Sequence, residues 1–159
     1  MKTFSSAIAA AAMDATTLTA HATTDRDIVE EFYTQLLSGT TRPDLQARVE
    51  AVLSPSWQSL GGYNRPAKTR DEFIAELQGI GQVAPNLTWK VEEILQSGNR
   101  FVVRGHASAT PVLPFLDVAP SARGFEIMSI DIHTVENHKI VKSYHVEDWY
   151  GATQQLKAK

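Results

Sequence analysis

The chain has 159 residues, a formal charge of −3, 43% hydrophobic and 21% charged residues, and no cysteine. One folded unit is expected at this length, large enough to bury roughly two-thirds of its unfolded surface without a metal or disulfide staple. The charge balance and the scatter of Lys and Arg give no electrostatic case for nucleic acid or an anionic membrane, and the missing thiols exclude cysteine nucleophiles and cysteine-bound metal.

MKTFSSAIAAAAMDATTLTAHA opens the chain with Lys2, an apolar run from Ala7 to Met13, and Ala20-His21-Ala22. Those are the parts of a secretory signal with a small-residue cleavage site. Against that reading, the apolar run is short and Asp14 interrupts it. The protein is periplasmic or secreted if this stretch is a signal, and cytoplasmic otherwise. Either way residues 1–23 are expected outside the fold, which then occupies residues 24–159. No run approaches the ~20 apolar residues of a membrane span.

Thr24-Asp25-Arg26-Asp27 reads as a helix start, with a capping residue and then acids in the first turn. Ile28, Val29, Phe32, Leu36 and Leu37 follow at helical spacing, and Gly39 stops the run. Pro43 and Asp44 begin a second helix whose apolar face is Leu45, Val49, Val52 and Leu53. SPSWQSLGGYNRPA reads as a loop, with Pro55, Gly61-Gly62 and Pro66 as breakers. A third helix opens near Thr69 and carries Phe73, Ile74, Leu77 and Ile80; Gly79, Gly81 and Pro85 are expected to end it.

From Leu87 the period changes to that of strands. LTWKVEEILQ and RFVVRGHASAT flank a hairpin turn at Ser97-Gly98-Asn99. PVLPFLDVAPSAR is an apolar loop or broken strand. GFEIMSIDIHTV and KIVKSYHVEDW form a second hairpin turning at Asn137-His138, and YGATQQLKAK is a short helix or tail. Helices first and antiparallel strands afterwards predict an α+β fold. Its expected form is a curved, mostly antiparallel sheet of about four to six strands, with about three helices over its concave face enclosing a pocket.

The second hairpin gathers titratable groups. A two-residue turn at Asn137-His138 pairs Glu136 with Lys139, His133 with Lys142 and Asp131 with Tyr144. Ser129, Asp131 and His133 then share a face with Lys142, Tyr144, Val146 and Asp148, while Met128, Ile130 and Ile132 lie opposite with Val141, Ser143 and His145. A bulge would shift that parity. Turned outward, the polar face is merely solvated, as in any half-buried sheet. Turned inward, it lines a pocket where a desolvated carboxylate can act as acid or base near neutral pH.

His106 lies on a neighbouring strand and faces either the cavity or the core. His138 sits at a turn tip. HVED and HTVENH lack the spacing of a zinc site, so no metal is expected. No G-x-S-x-G elbow surrounds Ser54, Ser56, Ser59 or Ser129. Trp57, Tyr63, Trp89 and Phe115 suit the wall of a cavity for a flat, apolar ligand.

RGHASAT, PFLDVAPSARG and IDIHTVENHKIVKSYHVED, in this order, resemble the SnoaL-like polyketide cyclase branch of the NTF2-like superfamily over about residues 24–156. In that pattern Asp117 and Ala122 replace loop glycines and His138 a turn glycine. The resemblance implies a metal- and cofactor-free enzyme closing a ring by an intramolecular aldol reaction on a small apolar or aromatic carbonyl compound. Asp148 matches the acid/base aspartate, and His133 and Asp131 match the polar pair beside it. Tyr144 stands where tryptophan is common; with His106, Trp57, Tyr63, Phe115 and Phe32 it would contact substrate. A homodimer through the outer sheet face is implied, with Met128, Ile130 and Ile132 suited to it. Isomerases and epoxide hydrolases share the superfamily, and so do pocket proteins that only bind a ligand or dimerise.

Overall fold

Thr24 starts the first helix through a reciprocal capping box. Its hydroxyl accepts from the Asp27 N–H at 3.2 Å, and its own N–H donates to Asp27 Oδ2 at 2.7 Å. The computed structural model describes residues 23–158, so the expected leader, apart from Thr23, lies outside the described residues. Helix α1 (Asp25–Glu31) runs on into a π-helical stretch, Phe32–Leu37. There the Ser38 N–H reaches the Tyr33 carbonyl at 3.0 Å, the longer loop that defines a π turn. That widened turn buries Phe32, Tyr33, Leu36 and Leu37 together.

After α2 (Leu45–Val52) the chain forms strand β1 (Leu53–Leu60), where a loop was expected. Pro55 misled that expectation. It falls within the register shift between Leu53 and Gln58, where a missing N–H removes no ladder bond. A short β2 (Lys68–Thr69) leads into α3 (Arg70–Val83), opened by a second capping box between Thr69 and Glu72. The helix passes through Gly79 and Gly81 instead of ending there. A Cβ at Gly81 would lie 2.7 Å from the Thr40 carbonyl oxygen, so glycine there lets α3 pack closely against the turn after the first helix.

The remaining strands are β3 (Thr88–Ser97), β4 (Arg100–Ala109), β5 (Phe125–Glu136) and β6 (Lys139–Glu147), followed by α4 (Trp149–Lys157). They form one open sheet in the order β2-β1-β6-β5-β4-β3, antiparallel except where β1 runs parallel to β6. This is the expected α+β architecture, with four α-helices and six strands among the described residues. The helices cover the sheet face bearing Trp57, Phe101, Val103 and Ile140, which with Val29, Leu36, Val49 and Leu77 build the core. Among the described residues no helix is long and apolar enough to cross a membrane.

Candidate active site

β5 is where the core face and the chemistry coincide. Its buried side chains are Phe125, Ile127, Ser129, Asp131, His133 and Val135, while Met128 and Ile130 look outward. Asp131 and His133 are fully buried and Ser129 nearly so. The polar face of this strand therefore looks inward, reversing the usual polar-out arrangement of a half-buried sheet.

A bulge in β6 decides which residues join them. Pairing begins as expected with Glu136 opposite Lys139 and Val135 opposite Ile140, but Thr134 then pairs with Lys142, leaving Val141 extra. Beyond the bulge the parity of β6 is inverted. Ser143 stands opposite His133, His145 opposite Asp131, and Glu147 opposite Ser129. The expected companions Lys142, Tyr144, Val146 and Asp148 are on the wrong side, and Ser143 and His145, expected on the outer face, line the interior.

Helix α1 and its π-helical extension supply the remaining partner. The Tyr33 hydroxyl lies 2.8 Å from Asp131 Oδ2 and 2.9 Å from His133 Nε2. Ser143 Oγ is 2.8 Å from His133 Nδ1 and receives the Trp57 indole N–H at 3.0 Å. Ser129 Oγ donates to Asp131 Oδ2 at 3.2 Å. One proton arrangement satisfies every contact. Trp57 donates to Ser143, Ser143 to His133 Nδ1, His133 Nε2–H to Tyr33, and Tyr33 to Asp131. In the other tautomer the single Tyr33 hydrogen would face two acceptors, so the donor count assigns neutral His133 with its proton on Nε2. Burial pushes His133 down to about 4, against the pull of the Asp131 charge. Burial likewise raises Tyr33 well above its ordinary value, and the charge of Asp131 adds to that rise.

His145 is different. Its Nδ1 bonds Asp131 Oδ1, and its Nε2 lies 3.0 Å from Glu147 Oε1. Burial disfavours its charge, but hydrogen bonds to both carboxylates and their charges override that and push it up to about 10. Burial likewise works against ionised Asp131, and its bond to His145 together with the charge of that ring holds the carboxyl below its ordinary range. The result is an imidazolium between two carboxylates, set in a cavity wall.

That cavity spans about 600 Å³, part of it open to solvent. Asp131, Ser143, His145 and Glu147 form its polar side, and Phe32, Trp57, Phe73, Leu77 and Trp89 are among its apolar walls. Lys68 and Glu76, an ion pair more than a third exposed, also line it, at the solvent side. Of the substrate contacts expected from the sequence, Phe32 and Trp57 line this cavity. Tyr63 is on an exposed loop. His106 is on the outer face of β4, 3.8 Å from Glu126. Tyr144 is outside too, its ring 5.9 Å from the Arg100 guanidinium. Phe115 packs on Phe125 and Trp149 at 5.8 and 5.6 Å. Asp148 is exposed and caps α4, accepting the Gly151 N–H at 2.8 Å.

Tyr33, Ser143, His145 and Glu147 are thus the participants the sequence reading missed. One signal was available: Ser143, His145 and Glu147 alternate with Tyr144 and Val146, a polar stripe matching Ser129, Asp131 and His133 on the adjacent strand. Tyr33 had none, since helical spacing marks it only as a neighbour of Phe32. Among the described residues no group of three or more His, Asp or Glu side chains is arranged to hold a metal ion.

The sequence profile described as SnoaL-like polyketide cyclase matches residues 27–156. No curated protein matches the chain. Among solved structures the fold is similar to IdmH from Streptomyces antibioticus, a candidate polyketide cyclase, with 23% identity over 83% of this chain and 97% of that one and a TM-score of 0.72. A candidate SnoaL-like polyketide cyclase from Jannaschia sp. CCS1 shares 16% identity over 85% and 92%, TM-score 0.72. AclR from Streptomyces galilaeus, a candidate hydroxylase, shares 17% over 83% and 80%, TM-score 0.68.

Proposed function

The chain belongs to the SnoaL-like polyketide cyclase family, and on that premise we propose that it is a cofactor-independent enzyme joining two carbons of one small carbonyl compound by acid/base catalysis. The observation that carries this reading is the row Asp131–His145–Glu147 in the wall of a largely apolar cavity. Glu147 is the base. It removes a proton from a carbon flanked by carbonyls, and the carbanion attacks a second carbonyl carbon of the same molecule. As that carbon–carbon bond forms, the carbonyl oxygen takes the Nε2 proton of His145. The proton on Glu147 then returns to His145 across their 3.0 Å contact, so the site resets without solvent. Asp131 keeps its charge throughout, orienting the ring and stabilising the imidazolium; Tyr33 and Ser129 hold Asp131 in turn. Phe32, Trp57 and Phe73 fold the substrate towards these groups. The acid/base role that the family resemblance implied for Asp148 passes here to its neighbour.

Methyl acetoacetate, a small β-keto ester, tests the base directly through exchange of its C2 protons in deuterium oxide, followed by proton NMR. The wild type should accelerate the exchange, and Glu147→Gln should lose about 10²- to 10⁴-fold of that acceleration. Equal rates in the two proteins would refute the assignment, and no acceleration by either would favour a pocket that binds without converting. We further propose a homodimer through the outer sheet face, where Val102, Met128, Ile130, Tyr144 and Val146 are all exposed.

A further inference from the structure

Trp89 holds a polar group that the fold leaves unused. The residue is 6% exposed, and its indole N–H is buried without a hydrogen-bond partner among the described residues. A buried donor left unmet is costly, so its place in a cavity wall calls for an acceptor. The ring is firmly placed. Its backbone N–H donates to Ser38 Oγ at 2.7 Å, and that hydroxyl in turn donates to the Tyr33 carbonyl at 2.9 Å. The Cε3–Cζ3 edge of the indole lies against Gly105, where a Cβ would come within 3.5 and 3.6 Å of those two carbons and 2.7 Å of Ser129 Oγ. Glycine therefore makes room for the ring, and the N–H sits on the opposite edge, away from that strand. The ring centre is 6.4 Å from that of His145, and Trp89 lines the same cavity as His145 and Glu147. Tyr33, 6.3 Å away between ring centres, already receives the His133 N–H and donates to Asp131.

We propose that the Trp89 indole N–H donates to the oxygen of the ligand carbonyl adjacent to the acidic carbon, and so carries the negative charge that develops there when Glu147 takes the proton. The ligand then bridges two fixed points, its carbon at Glu147 and its oxygen at Trp89, which selects 1,3-dicarbonyl compounds over hydrocarbons or alcohols of the same size. A donor already in place stabilises the enolate oxygen without reorganisation. This rests on the reading of Glu147 as base, and two readouts separate the two ideas.

The first is the ¹⁵N–¹H signal of the Trp89 indole in Glu147→Gln, which binds but does not react, titrated with methyl acetoacetate. The signal should move downfield and its exchange with solvent should slow. The second is C2 exchange by a protein carrying 3-benzothienylalanine at position 89, which keeps the ring shape and puts sulfur in place of N–H. Its rate should fall about 100-fold from that of the wild type. A packing role alone would leave that rate unchanged. Exchange that is fast and indifferent to the sulfur analogue would overturn the Trp89 assignment while Glu147 stood. An indole signal that shifts in the absence of any catalysed exchange would keep the donor and remove the base. An indole signal unmoved up to the solubility of the probe would overturn the proposal.

Discussion

Acidifying the protein tests the buried, neutral state assigned to His133. Its folded pKa is held near 4, against an ordinary 6.5, because burial disfavours the imidazolium more than Asp131 favours it. Between those two values the unfolded chain binds a proton that the folded one does not, so stability falls as pH falls. Linkage gives a loss of about 2 kcal/mol by pH 5 and about 3 kcal/mol by pH 4 from this one group, a large share of the stability of an ordinary fold. His145 adds little in that window. Its folded value is about 10, so it is protonated in both states below its ordinary value; its contribution is complete there and is lost as pH rises towards 10. Asp131, held low, contributes above its ordinary range and loses that contribution only as pH falls through its depressed folded value. Urea unfolding at a series of pH values, read by tryptophan fluorescence, measures the slope directly. His133→Gln should be less stable at neutral pH, yet lose about 2 kcal/mol less than the wild type on going to pH 5. Parallel curves for the two proteins would refute the neutral, buried assignment.

Tyr33→Phe removes the donor to Asp131 and the acceptor of the His133 N–H, and should cost about 1–3 kcal/mol in urea unfolding while slowing C2 exchange of methyl acetoacetate. Asp148→Ala should destabilise by about 1 kcal/mol through loss of the α4 cap, with exchange within twofold of the wild type; Asp148→Asn, which can still cap, should recover the stability. A large loss of exchange in either variant would return Asp148 to the chemistry. Ile130→Glu should shift a dimer to monomers in sedimentation velocity, and an unchanged sedimentation coefficient would remove the outer face from the interface.

Much of this architecture is written in local chemistry. Thr24 and Thr69 begin helices because each hydroxyl, three residues ahead of an acid, closes a reciprocal capping box with it. Ser97-Gly98-Asn99 and Asn137-His138 turn hairpins because Gly98, Asn137 and His138 take the left-handed backbone conformation. The alternation of Ser129, Asp131 and His133 puts them on one face of β5 whatever surrounds the strand. That much needed the sequence alone. Whether the face looked inward did not follow, since solvation and burial share the same period; only the helices lying on it decided that. The companions of those residues were decided by a single extra residue, Val141, because a side-chain period of two turns one inserted residue into a complete exchange of faces. It carried His145 and Glu147 in and left Tyr144 outside, and Asp148 went to the helix cap. Tyr33 completes the group from a helix distant in the chain, through a contact that no spacing along the sequence encodes and that exists only once α1 is packed on the sheet.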